Sequence, residues 1–545
     1  MGCVSIPFRR LPHQPKLFLR FVDDFPGVSN FYAHPPNLEA IKQAAKSLDF
    51  PAERRKEVAA ALRDINAALG GGDATQRNLE RLESGAVAVV SGQQVGLFGG
   101  PAYAFYKALS AIRIAEELSE AGIPAVPVFW MATEDHDLDE VRHVSWFKAG
   151  KLTRFELVAD GTPGRPVGRV KLGAAIEEFT RKASELLTGP GSAAVAKFLQ
   201  ESYRAEETYG SAFGKLFARV FAEQGLILLD PLEARLHRIA APVYRKALED
   251  RDTLSDKLLR RGKELEAAGF DPQVKVTANG TLLFYFQSGL RQPIVVGNGI
   301  GNEAGGGVFK SGAVSWTRDE ALRLVEQEPE SFSPNALLRP VVQDYLLPTA
   351  AFSAGPAEIS YLAQSEVIYR HILRRMPVVL PRAAFTVLDA KGDKLLQRYH
   401  LCIENIWAGP QELRRQMEAV SLPKRLAEDF DRKKALIEST LAQLGEDVQK
   451  LDATLAGAVA TAKEKMMFQV EKLREKTGRA LDERAGVIAE HAEFLENLVY
   501  PNKVLQSREL CFLPFLAQWG PDGLKELKNR AGSENLKEHR IVRIP

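Results

Sequence analysis

Three absences narrow the class of protein before any motif is considered. The 545 residues include only three cysteines, Cys3, Cys402 and Cys511, which are spaced too widely for a disulfide framework or a CxxC zinc site. No run of about 18 uncharged apolar residues occurs, and the N-terminal segment lacks the apolar core of a secretory signal. We therefore expect a cytoplasmic protein with no membrane partner.

An excess of charge of one sign is also missing. Lysine and arginine total 72 against 70 aspartates and glutamates, which leaves a net charge of +2. Such a balance creates no overall field that attracts nucleic acid, so we expect no nucleic-acid partner. The length and the 45% of hydrophobic residues predict a globular protein with two or three domains.

The clearest structural pattern is a βαβ unit between residues 86 and 132. A short apolar run, Ala86 to Val90, predicts a buried strand, and a second run from Ala125 to Ala132 predicts another. Between them, apolar residues recur at helical spacing until Gly122, namely Phe105, Leu109, Ile112, Ala115 and Leu118. Ligands of open parallel sheets bind outside the carboxyl ends of the strands, so both strand ends are expected to face one crevice.

The remaining pattern divides the chain into three regions. Residues 1–390 predict an α/β core with inserted connecting segments at about 145–225 and 270–335, the second containing a capping box formed by Thr317 and Glu320. Residues 391–500 predict a long helical coiled coil. Residues 501–545 end in a hydrophobic segment that is expected to return to the core, because Leu510, Phe512 and Phe515 need cover.

The coiled coil is predicted from a seam without proline between Pro423 and Pro501. Apolar residues alternate by four and three at Ile437, Leu441, Leu444, Val448, Leu451, Leu455 and Ala458, and a second register follows at Met466, Val470, Leu473, Thr477 and Ala480. One long helix and an antiparallel hairpin both fit, with a hairpin turning near Gly445 or Gly457 the more economical. Because the seam needs a partner helix, we predict a homodimer.

A glycine-rich loop joins the first predicted strand to its helix. The spacing of Gly92, Gly96, Gly99 and Gly100 matches neither GxGxxG nor a Walker A motif. Free N–H groups at a helix N-terminus suit phosphate or carboxylate, although a tight turn also requires glycine. In the anion-binding interpretation Gln93 and Gln94 are ligand donors, and Lys107 is either a phosphate contact or a surface lysine.

Four ionisable residues, Glu134, Asp135, His136 and Asp137, follow the second predicted strand. Crowded carboxylates raise one another's pKa, and histidine titrates near neutrality, so the cluster suits proton transfer. A solvated loop or a helix cap is the alternative. We expect no metal site, because the side chains of adjacent residues point in different directions.

A third candidate region lies between residues 333 and 382. Arg339, Arg370 and Arg382 are candidates to clamp a carboxylate or phosphate, and Glu358 and Gln364 to orient a polar substrate. The alternative is that these arginines simply pair with acidic side chains.

Four segments in order resemble the bacillithiol biosynthesis cysteine-adding enzyme family: SGQQVGLFGGPAYAFYKALS from Ser91, PVFWMATEDHDLDEV from Pro127, SPNALLRPVVQDYLLPTAAFSAGPAEISYLAQ from Ser333, and MPVVLPR from Met376. The resemblance implies a Rossmann-like core with insertions and a coiled coil that mediates dimerisation. It also implies cysteine and glucosaminyl malate as substrates, joined to give bacillithiol.

The resulting hypothesis is a ligase that forms an amide between cysteine and the amine of glucosaminyl malate. A carboxylate must be activated first, which suggests ATP with Mg²⁺, through an adenylate or an acyl phosphate. His136, flanked by Asp135 and Asp137, is the candidate base for the amine, with Glu134 as an orienting residue or a metal contact. A dimeric nucleotide-binding sensor or scaffold and a sugar-phosphate nucleotidyltransferase are the alternatives.

Overall fold

The computed structural model describes residues 4–158, 163–297, 308–420, 424–482 and 486–544. Its strands are β1 (Val4–Pro7), β2 (Val87–Gln93), β3 (Ala125–Met131), β4 (His143–Lys148), β5 (Lys151–Glu156), β6 (Ile227–Leu229), β7 (Gly280–Gln287), β8 (Leu290–Gly297), β9 (Val308–Ser311), β10 (Val314–Trp316), β11 (Phe332–Pro334), β12 (Thr349–Ala354), β13 (Val378–Pro381), β14 (Ala384–Leu388) and β15 (Glu538–Arg543).

The helices of the first region are α1 (Lys16–Asp23), α2 (Leu38–Lys46), α3 (Ala52–Ala68), α4 (Asp73–Glu83), α5 (Tyr103–Glu120), α6 (Leu138–Val141), α7 (Ala175–Leu186), α8 (Ser192–Ser202), α9 (Tyr209–Val220), α10 (Ala234–Glu249), α11 (Arg251–Ala267), α12 (Arg318–Gln327), α13 (Arg339–Leu346) and α14 (Pro356–Ile372). Those that follow are α15 (Ala390–Arg398), α16 (Ile403–Trp407), α17 (Pro410–Val420), α18 (Lys424–Leu451), α19 (Ala456–Asp482), α20 (Val487–Val499), α21 (Gln506–Glu509), α22 (Leu513–Trp519) and α23 (Pro521–Arg530).

A five-stranded parallel sheet forms the centre of the molecule, in the order β13-β12-β2-β3-β6. Strands β2 and β3 are buried almost throughout, as expected when helices cover both faces of a sheet. The predicted βαβ unit is confirmed as β2, α5 and β3. Strand β2 extends to Gln93, beyond the predicted end at Val90, because it pairs with β3 as far as Met131.

Two insertions interrupt the central sheet along the chain. The hairpin β4-β5 and helices α7 to α9 lie between β3 and β6, and an antiparallel sheet of order β10-β9-β8-β7-β11 lies between α11 and α13. The predicted capping box at Thr317 and Glu320 is confirmed at the start of α12.

The two ends of the described chain meet in one small sheet. Strand β15 lies between β1 and β14, antiparallel to β1 and parallel to β14. The segment before β15 packs into the core, where Leu510, Phe512 and Phe515 are buried. The predicted return of this segment is therefore confirmed.

Helices α18 and α19 form an antiparallel hairpin joined by ion pairs from Lys434 to Glu471 and from Lys463 to Glu438. Of the two arrangements that fitted the sequence pattern, the structure shows the hairpin, and its 3₁₀ turn over Ala453–Leu455 lies near Gly457 rather than near Gly445. Gly445 instead allows close packing, because a Cβ there would lie 2.9 Å from Val459. No helix among the described residues combines the length and apolarity needed to cross a bilayer.

Candidate active site

A cavity of about 610 Å³ opens at the carboxyl ends of the central strands. Gly92, Gln93 and Gln94 at the end of β2 contribute to its wall, together with Glu134 and Asp135 after β3. Gln94 Nε2 donates to Asp135 Oδ2 at 2.8 Å, so the glycine-rich loop and the acidic cluster meet as predicted. The other walls come from α5, α13, α14, the inserted antiparallel sheet and the C-terminal segment; their charged or polar members are Tyr103, Lys107, Glu140, Arg291, Asn335, Arg339, Glu358, Tyr361, Arg382 and Arg508.

Three N–H groups of the glycine loop are already bonded within the protein and are not free for an anion. Gly96 N–H donates to the Gln94 carbonyl, Gly99 N–H to the Tyr203 hydroxyl, and Gly100 N–H to the Leu97 carbonyl. Gly96 and Gly100 instead border a smaller neighbouring cavity of about 180 Å³.

Close packing explains two of the glycines. A Cβ on Gly92 would lie 2.5 Å from the Trp130 carbonyl oxygen, and one on Gly99 would lie 2.7 Å from the Phe105 ring. The start of α5 is also covered, because Ala102 N–H donates to the Leu510 carbonyl. The alternative of a tight turn describes Gly96, Gly99 and Gly100 better than anion binding does.

Lys107 is buried and fully engaged within the protein. Its Nζ donates to the Gly92 carbonyl at 2.6 Å and to Gln93 Oε1 at 2.9 Å, and it lies 2.5 Å from Glu358 Oε2. Burial lowers the lysine pKa and Glu358 opposes that shift. Because an ammonium has three donors, the structure leaves none for a phosphate. Glu358 also accepts from Gly355 N–H at 2.7 Å and so caps α14.

Two of the four residues after β3 hold the backbone of the turn. Asp135 Oδ1 accepts from the N–H groups of His136 and Asp137, at 2.7 and 3.4 Å. Asp137 accepts from Glu140 N–H at 3.2 Å and is the N-cap of α6. The helix-cap alternative therefore describes Asp137, which does not reach the cavity.

His136 lies at the rim of the cavity rather than among its lining residues. Its Nδ1 is 3.2 Å from Nη1 of Arg291, and its ring packs on Phe284. Burial and the charge of Arg291 lower the histidine pKa. Because a guanidinium can only donate, Nδ1 accepts and the proton of the neutral ring lies on Nε2. Neither nitrogen then has a free lone pair, which removes His136 as a base in this arrangement.

Glu134 is the most deeply buried carboxyl of the cavity wall, with 5% of the residue exposed. Burial raises its pKa to about 8, against the opposing effect of Arg291. Its Oε1 lies 3.7 Å from Nε2 of the buried His237.

A group of arginines that form no ion pair among the described residues lies along the cavity. Arg339 donates to Gln343 and Tyr361, and Arg382 donates to the Ala383 carbonyl. Burial and the neighbouring Arg508 lower the pKa of Arg382 to about 10. Among the described residues no carboxylate forms an ion pair with Arg291, Arg339, Arg382 or Arg508. The cavity therefore holds guanidinium groups that make no direct contact with a carboxylate of the described chain, although Glu358, Glu134 and Asp135 act on them at longer range.

Two predicted site residues lie elsewhere. Gln364 exchanges hydrogen bonds with the backbone of Val274 at 2.9 and 2.8 Å, which anchors the segment before β7. Arg370 pairs with Glu366 on the same helix and its side chain is 69% exposed. Arg370 therefore fits the alternative interpretation, in which the arginine simply pairs with an acidic side chain.

Several cavity residues carried no sequence signal of their own. Arg291 and Phe284 come from the inserted sheet, about 150 residues from the acidic cluster, and Arg508 comes from the C-terminal segment. Tyr103 and Tyr361 lie on α5 and α14 facing the cavity, where burial raises the pKa of each to about 12. The sequence signal available for these two tyrosines was their spacing: Tyr103 lies four residues before Lys107 and Tyr361 three residues after Glu358, so each shares a helix face with a predicted site residue.

No group of three potential metal ligands occurs among the residues that the structure describes. Mg²⁺ in proteins is usually held by one or two carboxylates together with the phosphates of a substrate. The exposed Glu140 is the carboxylate of the cavity wall that fits such a role, because Asp135 already accepts three hydrogen bonds.

Comparison with known proteins gives consistent matches over the whole chain. Residues 1–383 match the family model described as Bacillithiol biosynthesis BshC, N-terminal Rossmann-like domain. Residues 385–544 match the model of the BshC C-terminal coiled-coil domain, which takes in the C-terminal segment as well as the hairpin.

Curated relatives of similar length carry one name, "Putative cysteine ligase BshC". The protein of Koribacter versatilis is 41% identical over 540 residues, with 99% of each chain covered. That of Solibacter usitatus is 38% identical with 96% of each chain covered. That of Chlorobaculum tepidum is 31% identical, covering 90% of this chain and 89% of the relative.

Proposed function

Because the chain belongs to the bacillithiol biosynthesis BshC family, we propose that it is a cysteine ligase that joins the cysteine carboxyl to the amine of glucosaminyl malate, giving bacillithiol. The relatives' name supports the ligase and the cysteine. The choice of glucosaminyl malate rests on the family resemblance and on the charge of the cavity.

The observation that carries the proposal is the group of arginines without carboxylate partners. Arg382 is only 8% exposed, and a buried guanidinium without a counter-ion is costly unless a ligand supplies one. Arg339 lines the same cavity. Two carboxylates of a malate group match such a pair, because guanidinium binds carboxylate with two parallel hydrogen bonds. A phosphate chain is the other anion that fits.

The cysteine carboxylate needs activation before an amine can attack it, and we propose that ATP with Mg²⁺ supplies this by converting a carboxylate oxygen into a leaving group. The chain has no Walker A motif, and its glycine loop and Lys107 are already engaged. With Arg339 and Arg382 assigned to malate, the cavity arginine that fits a phosphate chain is the exposed Arg508.

The protein's own contribution is to orient two substrates and to handle protons. Gln94, which bonds to both Asp135 and Glu140, closes one side of the cavity. Glu134 and Asp135 place carboxyl groups at the wall where an amine would lie. His136 holds Arg291 over the cavity, which gives it a positioning role rather than that of the base.

We also propose a homodimer through the coiled coil and a location in the cytoplasm. Large apolar side chains on α18 and α19 remain exposed after the hairpin has formed, including Leu444 at 57% and Leu473 at 57%. Cys402 and Cys511 are both free thiols, which suits a reducing compartment.

Purified protein incubated with cysteine, glucosaminyl malate and Mg-ATP tests the proposal, with product identified by mass spectrometry. We expect bacillithiol only when all three are present. Stabilisation by nucleotide without consumption of cysteine would favour the sensor or scaffold, and pyrophosphate release without cysteine would favour a nucleotidyltransferase. No amide with any nucleotide would overturn the ligase proposal.

A further inference from the structure

Glu134 and His237 form a buried pair behind the cavity wall. Glu134 Oε1 lies 3.7 Å from Nε2 of His237 on α10, and the two residues are 5% and 2% exposed. Within the described chain neither of these two atoms has a hydrogen-bond partner. Buried polar atoms are nearly always hydrogen-bonded, so two that face each other unpaired call for an explanation.

The surroundings keep both groups uncharged near neutral pH. Burial raises the pKa of Glu134 to about 8, and burial with the charge of Arg169 lowers the pKa of His237 to about 4. His237 Nδ1 lies 3.3 Å from the Tyr244 hydroxyl, which can accept or donate, and the Phe332 backbone also acts on the imidazole. With the ring proton on Nδ1, where these oxygens can accept it, Nε2 presents a lone pair to the Glu134 carboxyl.

Charged and titratable groups face this pair from several elements. Around Glu134 and His237 these are Arg169, Asp230, Glu233, Tyr244, Arg291, Glu330 and Arg339. The arginines favour the carboxylate of Glu134, whereas burial and Asp230 favour the neutral acid. Both protonation states are thus accessible in the same site.

We propose that Glu134 accepts the proton which the substrate amine loses during amide formation, and that His237 positions this carboxyl by accepting its hydrogen bond. The inference rests on the proposed function, because it assumes an amine substrate. In the step, an N–H bond of the ammonium breaks and an O–H bond to Glu134 forms. The nitrogen keeps the electron pair with which it attacks the activated carboxyl carbon. As the C–N bond forms, the C–O bond to the phosphate-bearing leaving group breaks, and the second N–H proton departs with that group. The proton on Glu134 then leaves through the cavity before the next turnover.

The environment of Glu134 suits this role better than that of its neighbours. An amino group with a pKa of about 8 loses a proton to an ordinary carboxylate, of pKa about 4.3, only against a large difference in basicity. A carboxyl matched to the amine removes that difference, which is the condition for efficient general base catalysis. Asp135 already accepts three hydrogen bonds, and His136 accepts one from Arg291.

The pH dependence of kcat/KM separates these roles. We expect Glu134→Gln to lower kcat by ~10²–10⁴-fold and to abolish the ionisation that limits the wild-type rate at low pH, whereas Asp135→Asn retains it. His237→Phe keeps a buried ring but removes the hydrogen-bond acceptor of Glu134, so the neutral carboxyl of Glu134 is destabilised. The acidic limb of the pH profile, where kcat/KM falls as Glu134 is protonated, then shifts to lower pH. His539→Phe, a matched loss of a buried histidine in the β14-β15 sheet, is expected to change thermal stability without shifting the limb.

An unchanged limb in Glu134→Gln would overturn the assignment of the base. An unchanged or upward shift in His237→Phe would overturn the positioning role, because an upward shift means that Nε2 donates to the carboxylate. Infrared difference spectra of the free protein, wild type minus Glu134→Gln, give the carboxyl ionisation without any assay. If the wild-type protein makes no amide, the proposed function fails, and the role of Glu134 as the base fails with it. If amide is made but the Glu134 carboxyl titrates near its ordinary pKa, only the proposed pairing of Glu134 with His237 is overturned.

Discussion

Arg382 combines an unfavourable position for folding with a favourable one for binding. Its guanidinium is buried, is bonded to one backbone carbonyl, and lies close enough to Arg508 for repulsion to lower its pKa. Such a residue is retained at a cost in stability when a ligand anion completes it. Substitution of Arg382 is therefore the most direct test of the proposal that the cavity binds an anion.

We predict that Arg382→Gln raises KM for an anionic substrate by ~10–100-fold, the equivalent of about 1.5–3 kcal/mol for a hydrogen bond to a charged group. The melting temperature is expected to hold or rise, because an unneutralised buried charge has been removed. Arg370→Gln is the control, since that side chain is 69% exposed and pairs only with Glu366 among the described residues. An unchanged KM in Arg382→Gln would remove the anion site from this cavity.

Glu134 gives a prediction about stability that needs no substrate. Its pKa is about 8 in the folded protein and about 4.3 in an unfolded chain. Between these values the folded state binds the proton more tightly, so this group's contribution to stability is lost as pH rises towards 8. We expect Glu134→Gln, which cannot ionise, to gain melting temperature relative to wild type over that window.

Melting curves from about pH 5 to about pH 9 check this, with Glu404→Gln as the control, because Glu404 pairs only weakly with Arg10 at the surface. The difference between Glu134→Gln and wild type should widen with pH and then level off. A constant difference would mean that Glu134 titrates normally.

At the scale of residues, the sequence located the acidic cluster but could not assign its members. Four adjacent ionisable residues predict chemistry as a group, yet the turn after β3 sends only Glu134 and Asp135 into the cavity while Asp137 caps α6. Arg291, whose charge acts on the pKa values of Glu134 and His136, and His237, which faces Glu134, lie about 100 residues or more along the chain. No local pattern carries that information.

Elements were easier to predict where one physical constraint dominated. Apolar runs of strand length, helical spacing and the Thr317 capping box sufficed for β2, α5, β3 and α12. The sequence could not show that β12, which precedes Gly355, enters the central sheet between β13 and β2. Strand order depends on contacts between distant segments.

Strand packing around Gly92 leads to a prediction at the scale of elements. A Cβ there would lie 2.5 Å from the Trp130 carbonyl oxygen, which is backbone of the paired strand β3 and cannot move independently. We expect Gly92→Ala to destabilise the protein by about 1–3 kcal/mol through overpacking.

Chemical denaturation checks the loss, and Gly72→Ala serves as the matched control, since no heavy atom lies within 4 Å of a Cβ at that position. A Gly92→Ala protein as stable as Gly72→Ala would show that β2 and β3 can separate without cost. The glycine would then be available for the ligand role first assigned to it.

At the scale of the whole molecule, the heptad pattern fitted one long helix or a hairpin and did not show how the apolar residues divide between buried and exposed positions. Ile437, Leu441 and Val448 are half-buried within the hairpin. Leu436, Leu444, Leu451, Met466, Phe468 and Leu473 have between 50% and 86% of their surface exposed. A hairpin that leaves so much apolar surface uncovered is typical of a helical segment with a further partner.

We predict that the protein is a dimer in solution and that the double variant Leu444→Glu, Leu473→Glu is a monomer. Two carboxylates introduced into an apolar helical interface lose hydration without gaining partners, which outweighs the contact they replace. Sedimentation velocity over a range of protein concentrations measures the state. Gln449→Glu adds a charge to an exposed polar position of the same helix and should leave the dimer intact. A monomeric wild type, or a double variant that still dimerises, would show that the exposed seam does not join two copies. The dimer proposal would then fail, while the proposals about the cavity would not be affected.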